Sequence, residues 1–129
     1  MTRHVKSEVG WVLVGFQDDD LVVARRVMQA SGAATSVRLD SARILSREEK
    51  QGDVVGFWHT HPAGLIRESG QDRETLGAFC RSFGKSLVSI VETDGSASGW
   101  VHLPGGSRRP VLRVVRSGSL VLVRLAPER

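Results

Sequence analysis

The chain has 129 residues, 40% of them hydrophobic and 25% charged, with a formal net charge of +4. That is an ordinary globular composition with enough chain to bury a core. The single cysteine, Cys80, excludes an internal disulfide and a multi-cysteine zinc site, and fits a reducing compartment.

Arg3, His4 and Lys6 precede an apolar run from Val9 to Phe16 that imitates a signal peptide. Gly10 and Gly15 interrupt the run, Asp18-Asp19-Asp20 follows it, and no small-residue cleavage site is present. The run is too short to span a bilayer. The expectation is a cytoplasmic protein without a membrane segment, beginning with a buried strand.

Glu8 to Phe16, valine-rich and weakly alternating, reads as a strand buried on both faces. The aspartate triplet is a turn into a second strand, Leu21 to Met28, where Arg25-Arg26 mark an exposed side or end. Thr35 to Leu39 is a candidate third strand, and Ser41 to Lys50 a short helix. Gly52-Asp53 turns into Val54 to Trp58, an apolar strand ending at two histidines.

Pro62 to Glu68 is a loop. Ser69 to Phe83 is the main helix, with Leu76, Phe79, Cys80 and Phe83 on one face and Gly84 as a left-handed terminator. Ser86 to Glu92 and Ser98 to Leu103 are strands joined through Asp94-Gly95. Pro104 to Pro110 is an irregular loop, and Val111 to Val115 with Leu120 to Leu125 form a closing hairpin around Ser117-Gly118. No repeat or linker divides residues 1–129, which read as one domain. The class is α/β (α+β): a mixed, largely antiparallel curved sheet flanked by one main and one shorter helix.

The chemistry concentrates between Gly56 and Asp72. His59 and His61, two apart on an extended strand, point to the same side about 6–7 Å apart at Cα. Asp72 follows in the first turn of the next helix, where the amide dipoles favour negative charge. Two imidazoles and a carboxylate, with a fourth position left for water, are the ligand set of a catalytic zinc. A competing reading makes Ser69-Gly70-Gln71-Asp72 a capping box, but a capping box gives no reason for the preceding His-x-His.

The string Gly56-Phe57-Trp58-His59-Thr60-His61-Pro62-Ala63-Gly64, with Ser69 and Asp72, closely resembles the signature of the JAMM (MPN-plus) zinc metalloproteases. Glu8-Val9-Gly10-Trp11-Val12-Leu13-Val14-Gly15 resembles the upstream segment that carries their catalytic glutamate. The chain departs from the pattern in Thr60, where serine is commoner, and in lacking the long insertions of larger relatives. The resemblance implies a JAMM/MPN fold with the layering of the related zinc deaminases, whose Pro-Cys-x-x-Cys element is absent here.

It also implies one zinc per chain held by His59, His61 and Asp72, with Glu8 as general base and Ser69 as oxyanion donor. Along the chain alone, Glu68 and Glu74 lie nearer the histidines, so Glu8 rests on the resemblance. The implied activity is isopeptidase, deubiquitinase-like hydrolysis after the C-terminal glycine of a ubiquitin-like or sulfur-carrier protein. Ubiquitin-like conjugation enzymes are further implied partners. Competing readings are a non-catalytic partner-binding module and a nucleic-acid-associated relative of the fold.

From residue 105 onward six arginines face a single acid, Glu128. We read this as a solvated strand edge rather than a nucleic-acid surface. Gly105-Gly106-Ser107-Arg108-Arg109 lacks the spacing and lysine of a phosphate loop and reads as a flexible rim. Trp11, Phe57, Trp58, Phe79 and Phe83 are expected in the core, and Cys80 as an inert packing residue. His4 and His102 are expected to be ordinary satisfied residues.

Overall fold

The computed structural model describes residues 8–32, 39–61 and 70–127, with the backbone alone at Glu8, Gly32 and 70–72. Its elements are β1 (Glu8–Asp18), β2 (Leu21–Gly32), α1 (Ser41–Gln51), β3 (Val54–Thr60), α2 (Gly70–Phe83), β4 (Leu87–Thr93), β5 (Ser96–His102), β6 (Arg108–Ser117) and β7 (Leu120–Leu125). The α+β class and the order of elements match the sequence reading. The strand expected over Thr35 to Leu39 lies almost entirely outside the described residues, as do the loop Pro62 to Glu68 and Ser69. The loop expected over Pro104 to Pro110 is shorter than its sequence suggests, because Arg108 to Pro110 already pair with β5.

The sheet is not an open curved sheet. Its seven strands close into a barrel in the order β1-β2-β7-β6-β5-β4-β3. Pairing is antiparallel except between β3 and β4, which are parallel and joined through α2. A parallel pair needs such a crossover, whereas a short turn suffices for an antiparallel one. Closure comes from β2 pairing with β7 over Leu21–Arg25. The β5–β6 ladder is short, Trp100 to His102 against Arg108 to Pro110, and the rest of β6 pairs with β7 alone. The arginine-bearing strand edge expected from the sequence is confined to that part of β6.

Alternation along the strands splits the core in two. Leu13, Trp58, Val88, Ile90, Val121 and Val123 point into the barrel. Val12, Val54, Phe57, Leu87 and the helix residues Ile44, Leu76, Phe79 and Cys80 form a second layer between the barrel wall and the helices. β1 and β3 feed both layers, which is why their sequences read as nearly continuous apolar runs. Gly56 lets β3 and β4 approach closely: a Cβ there would collide with the Val88 carbonyl.

The start of β3 is anchored by α1. Asp40 caps that helix by accepting the Arg43 amide at 3.1 Å, and Gly52 ends it in the left-handed region at φ 65°. Arg47 then grips Asp53 through two hydrogen bonds of 2.8 and 2.6 Å. The Glu48 carboxylate accepts both the Val54 amide at 3.1 Å and Lys85 Nζ at 2.9 Å. These contacts fix where the strand carrying the histidines begins.

Candidate metal centre

Phe57 faces the helix layer and Trp58 the barrel interior. Strand alternation therefore places His59, like Phe57, on the helix side of β3. His61 follows one residue past the strand's end and shares that side. The two imidazoles lie side by side, ring centroids 4.6 Å apart and planes inclined at 57°. Both are partly exposed. Rings this close are within reach of a shared ion at bond lengths near 2.0–2.1 Å.

Two neighbouring strands hold this end of β3. The His61 amide donates to the Glu92 carbonyl at 2.9 Å, carrying the β3–β4 ladder past Thr60. On the other side, the Thr60 hydroxyl accepts the Val9 amide at 2.9 Å. The residue between the histidines is thus a tie to β1, a role that its departure from the commoner serine did not suggest.

β1 pairs with β3 through Gly10 opposite His59 and Trp11 opposite Trp58. The β1–β3 ladder ends at that Gly10–His59 pair, and Glu8, the first residue of β1, lies two residues before it. Asp72 sits in the first turn of α2, directly after the crossover from the histidines. The side chains of Glu8 and Asp72, and all of Ser69, lie outside the described residues. Among the described residues, no group of three His, Cys, Asp or Glu side chains gathers.

Beneath the histidines the barrel mouth holds a polar cluster that sequence reasoning missed. The Trp58 indole donates to Glu92 Oε1 at 2.9 Å. The Arg26 guanidinium lies 3.9 Å from the Trp11 ring centroid and 5.3 Å from that of Trp58. Arg26 thus points into the barrel, while only Arg25 marks the exposed side. Burial lowers the Arg26 pKa and Arg116 adds to this, against the opposing pull of Glu92. The strand's period of two could have separated the two arginines, since Val22 and Ala24 are inward.

Trp58 and Phe79 are buried and Trp11 packs against the barrel core. Cys80 is fully buried with Sγ 3.3 Å from the His102 carbonyl oxygen, and burial pushes its thiol pKa up, as suits a packing residue. His102 is 6% exposed and His4 lies outside the described residues. Arg108 stacks on Trp100 at 4.3 Å. With Arg73 and Arg81 it lines a cleft of about 330 Å³ between α2 and the β5–β6 loop, so that loop is a rim, as its sequence suggested.

Residues 2–102 match a family described as prokaryotic homologs of the JAB domain. The chain belongs to the JAB-domain family. The JAB match ends before β6 and β7, the hairpin that closes the barrel. The family includes zinc isopeptidases and non-catalytic members. No curated protein matches the chain. Among the described residues of this JAB domain, no helix is long and apolar enough to cross a membrane.

Proposed function

We propose that this JAB domain is a zinc-dependent, cytoplasmic metallopeptidase of the isopeptidase type. It hydrolyses the bond after the C-terminal glycine of a ubiquitin-like or sulfur-carrier protein. The observation that carries the reading is the paired imidazoles of His59 and His61, 4.6 Å apart at the end of a strand flanked by the start of β1. A non-catalytic member has no need of two converging imidazoles followed by a helix-start aspartate.

In this reading His59, His61 and Asp72 hold the metal. Zinc so bound would lower the pKa of a water toward about 7 and polarise the scissile carbonyl. Glu8, at the start of the strand that pairs with β3, takes the proton of the attacking water and passes it to the departing amine. Ser69 donates a hydrogen bond to the oxyanion, a contribution whose loss costs about 2.7–4 kcal/mol of barrier. The main chain of β1 and β4 holds β3 rigid, so the histidines are positioned before substrate arrives.

The test is metal analysis and cleavage of a ubiquitin-like C-terminal fusion on the same purified protein. The expected result is about one zinc per chain with turnover, and a Glu8→Gln variant that keeps the metal but loses the turnover. A chain that binds no zinc, or a Gln variant as fast as the wild type, removes the proposal.

A further inference from the structure

Among the described residues six large hydrophobic side chains are exposed, and five of them, Phe16, Leu112, Val115, Leu120 and Leu122, belong to β1, β6 and β7. The helices pack mainly over β3, β4 and β5 and also cover Val12 and Val14 of β1, so the exposed wall is formed by β1 beyond Val14, the start of β2, β7 and β6. Strand register arranges that wall in rows. Phe16 pairs with Val23, Val23 with Leu122, and Leu122 with Val115, an apolar row across four strands. Phe16 is 59% exposed, Val115 45% and Leu122 40%. The next row runs Asp18, Leu21, Arg124, Arg113. Its acid stands at the β1 end and its arginines at the β7–β6 end.

We infer that this wall is the interface of a symmetric dimer, occupied by a second copy of the chain. A two-fold axis parallel to the strands, passing between β2 and β7, lays β1 over the partner's β6 and β2 over the partner's β7. Phe16 then meets the partner's Val115, and Val23 meets the partner's Leu122. Asp18 meets the partner's Arg113, and symmetry repeats each contact, as an isologous interface requires. An axis across the strands would set β1 against the partner's β1 and β6 against the partner's β6, so Asp18 could not meet the partner's Arg113, and the charges select one operator. Two outer sheet faces packed with strands aligned are an ordinary layer arrangement. A nucleic-acid surface is disfavoured because the centre of the wall is aliphatic and one end is acidic.

This inference does not rest on the metal site, which lies on the helix-covered side. Sedimentation velocity of the full chain over a concentration series tests it. The wild type is expected to form a reversible dimer, and Leu122→Glu a monomer with unchanged zinc content. Asp18→Arg and Arg113→Asp, made singly, are each expected to weaken dimerisation about tenfold, a typical effect of like charges placed across an interface. Mixing those two variants should restore a dimer, because each then offers the charge the other lacks. A wild type that stays monomeric, a dimer indifferent to Leu122→Glu, or two charge variants that fail to pair on mixing would each overturn the inference. Leu45→Glu, on the exposed face of α1, serves as the control and should leave the dimer intact.

Discussion

Glu92 holds the histidine strand by two separate bonds: its carbonyl accepts the His61 amide and its carboxylate accepts the Trp58 indole, both at 2.9 Å. It also opposes the effect of burial on Arg26. Glu92→Leu keeps the main-chain bond and removes the other two influences. The expected loss is about 1.5–3 kcal/mol, the range for a hydrogen bond to a charged group. Urea denaturation reads it, and an unchanged midpoint would show the carboxylate to be idle.

Thr60 separates a structural tie from a metal ligand. Thr60→Val leaves the Val9 amide without its side-chain acceptor at a partly buried position. The expected cost is about 1–3 kcal/mol. Thr60→Ser keeps the oxygen and should retain most of the stability. Thermal unfolding of the pair distinguishes them; equal melting temperatures would mean that water replaces the hydroxyl.

Zinc itself should act as a stabilising ligand if His59 and His61 bind it. At a free concentration about a hundred times the dissociation constant, a ligand bound only by the folded state adds about 2.7 kcal/mol. Chelation should therefore lower the melting temperature of the wild type, and zinc should restore it. His61→Ala should melt at the same temperature with or without chelator.

Acid should loosen the anchor at the start of β3. The Arg47 hydrogen bonds, against the opposing effect of burial, hold the Asp53 pKa below its ordinary value. A depressed folded pKa contributes stability that is complete above the unfolded value and fades as pH falls through the folded one. Asp53→Asn should thus be less stable than the wild type at neutral pH, with the gap closing below the ordinary aspartate range. Urea melts across that range check it, and a gap independent of pH would contradict the sign.

Much of the architecture was legible because it is local. Valine-rich alternation marked β1 and β2. The apolar stripe of Leu76, Phe79, Cys80 and Phe83 with Gly84 marked α2, and Asp94-Gly95 marked the β4–β5 turn. Gly84 and Gly95 indeed take positive φ, 68° and 79°. The His-x-His spacing pointed to a shared side because strand geometry alone requires it, and the rings lie side by side.

What only the tertiary structure decided depends on strands far apart in sequence. Closure of the barrel rests on β2 meeting β7, about a hundred residues later, and no local periodicity encodes that register. The same pairing turns Arg26 inward between two tryptophans and leaves Phe16, Leu122 and Val115 in one outward row. Residue types and their spacing specify which groups can do chemistry, because those are properties of neighbours along the chain. Which groups end up buried, tied or presented to a partner is set by nonlocal packing, whose free energy belongs to no single segment.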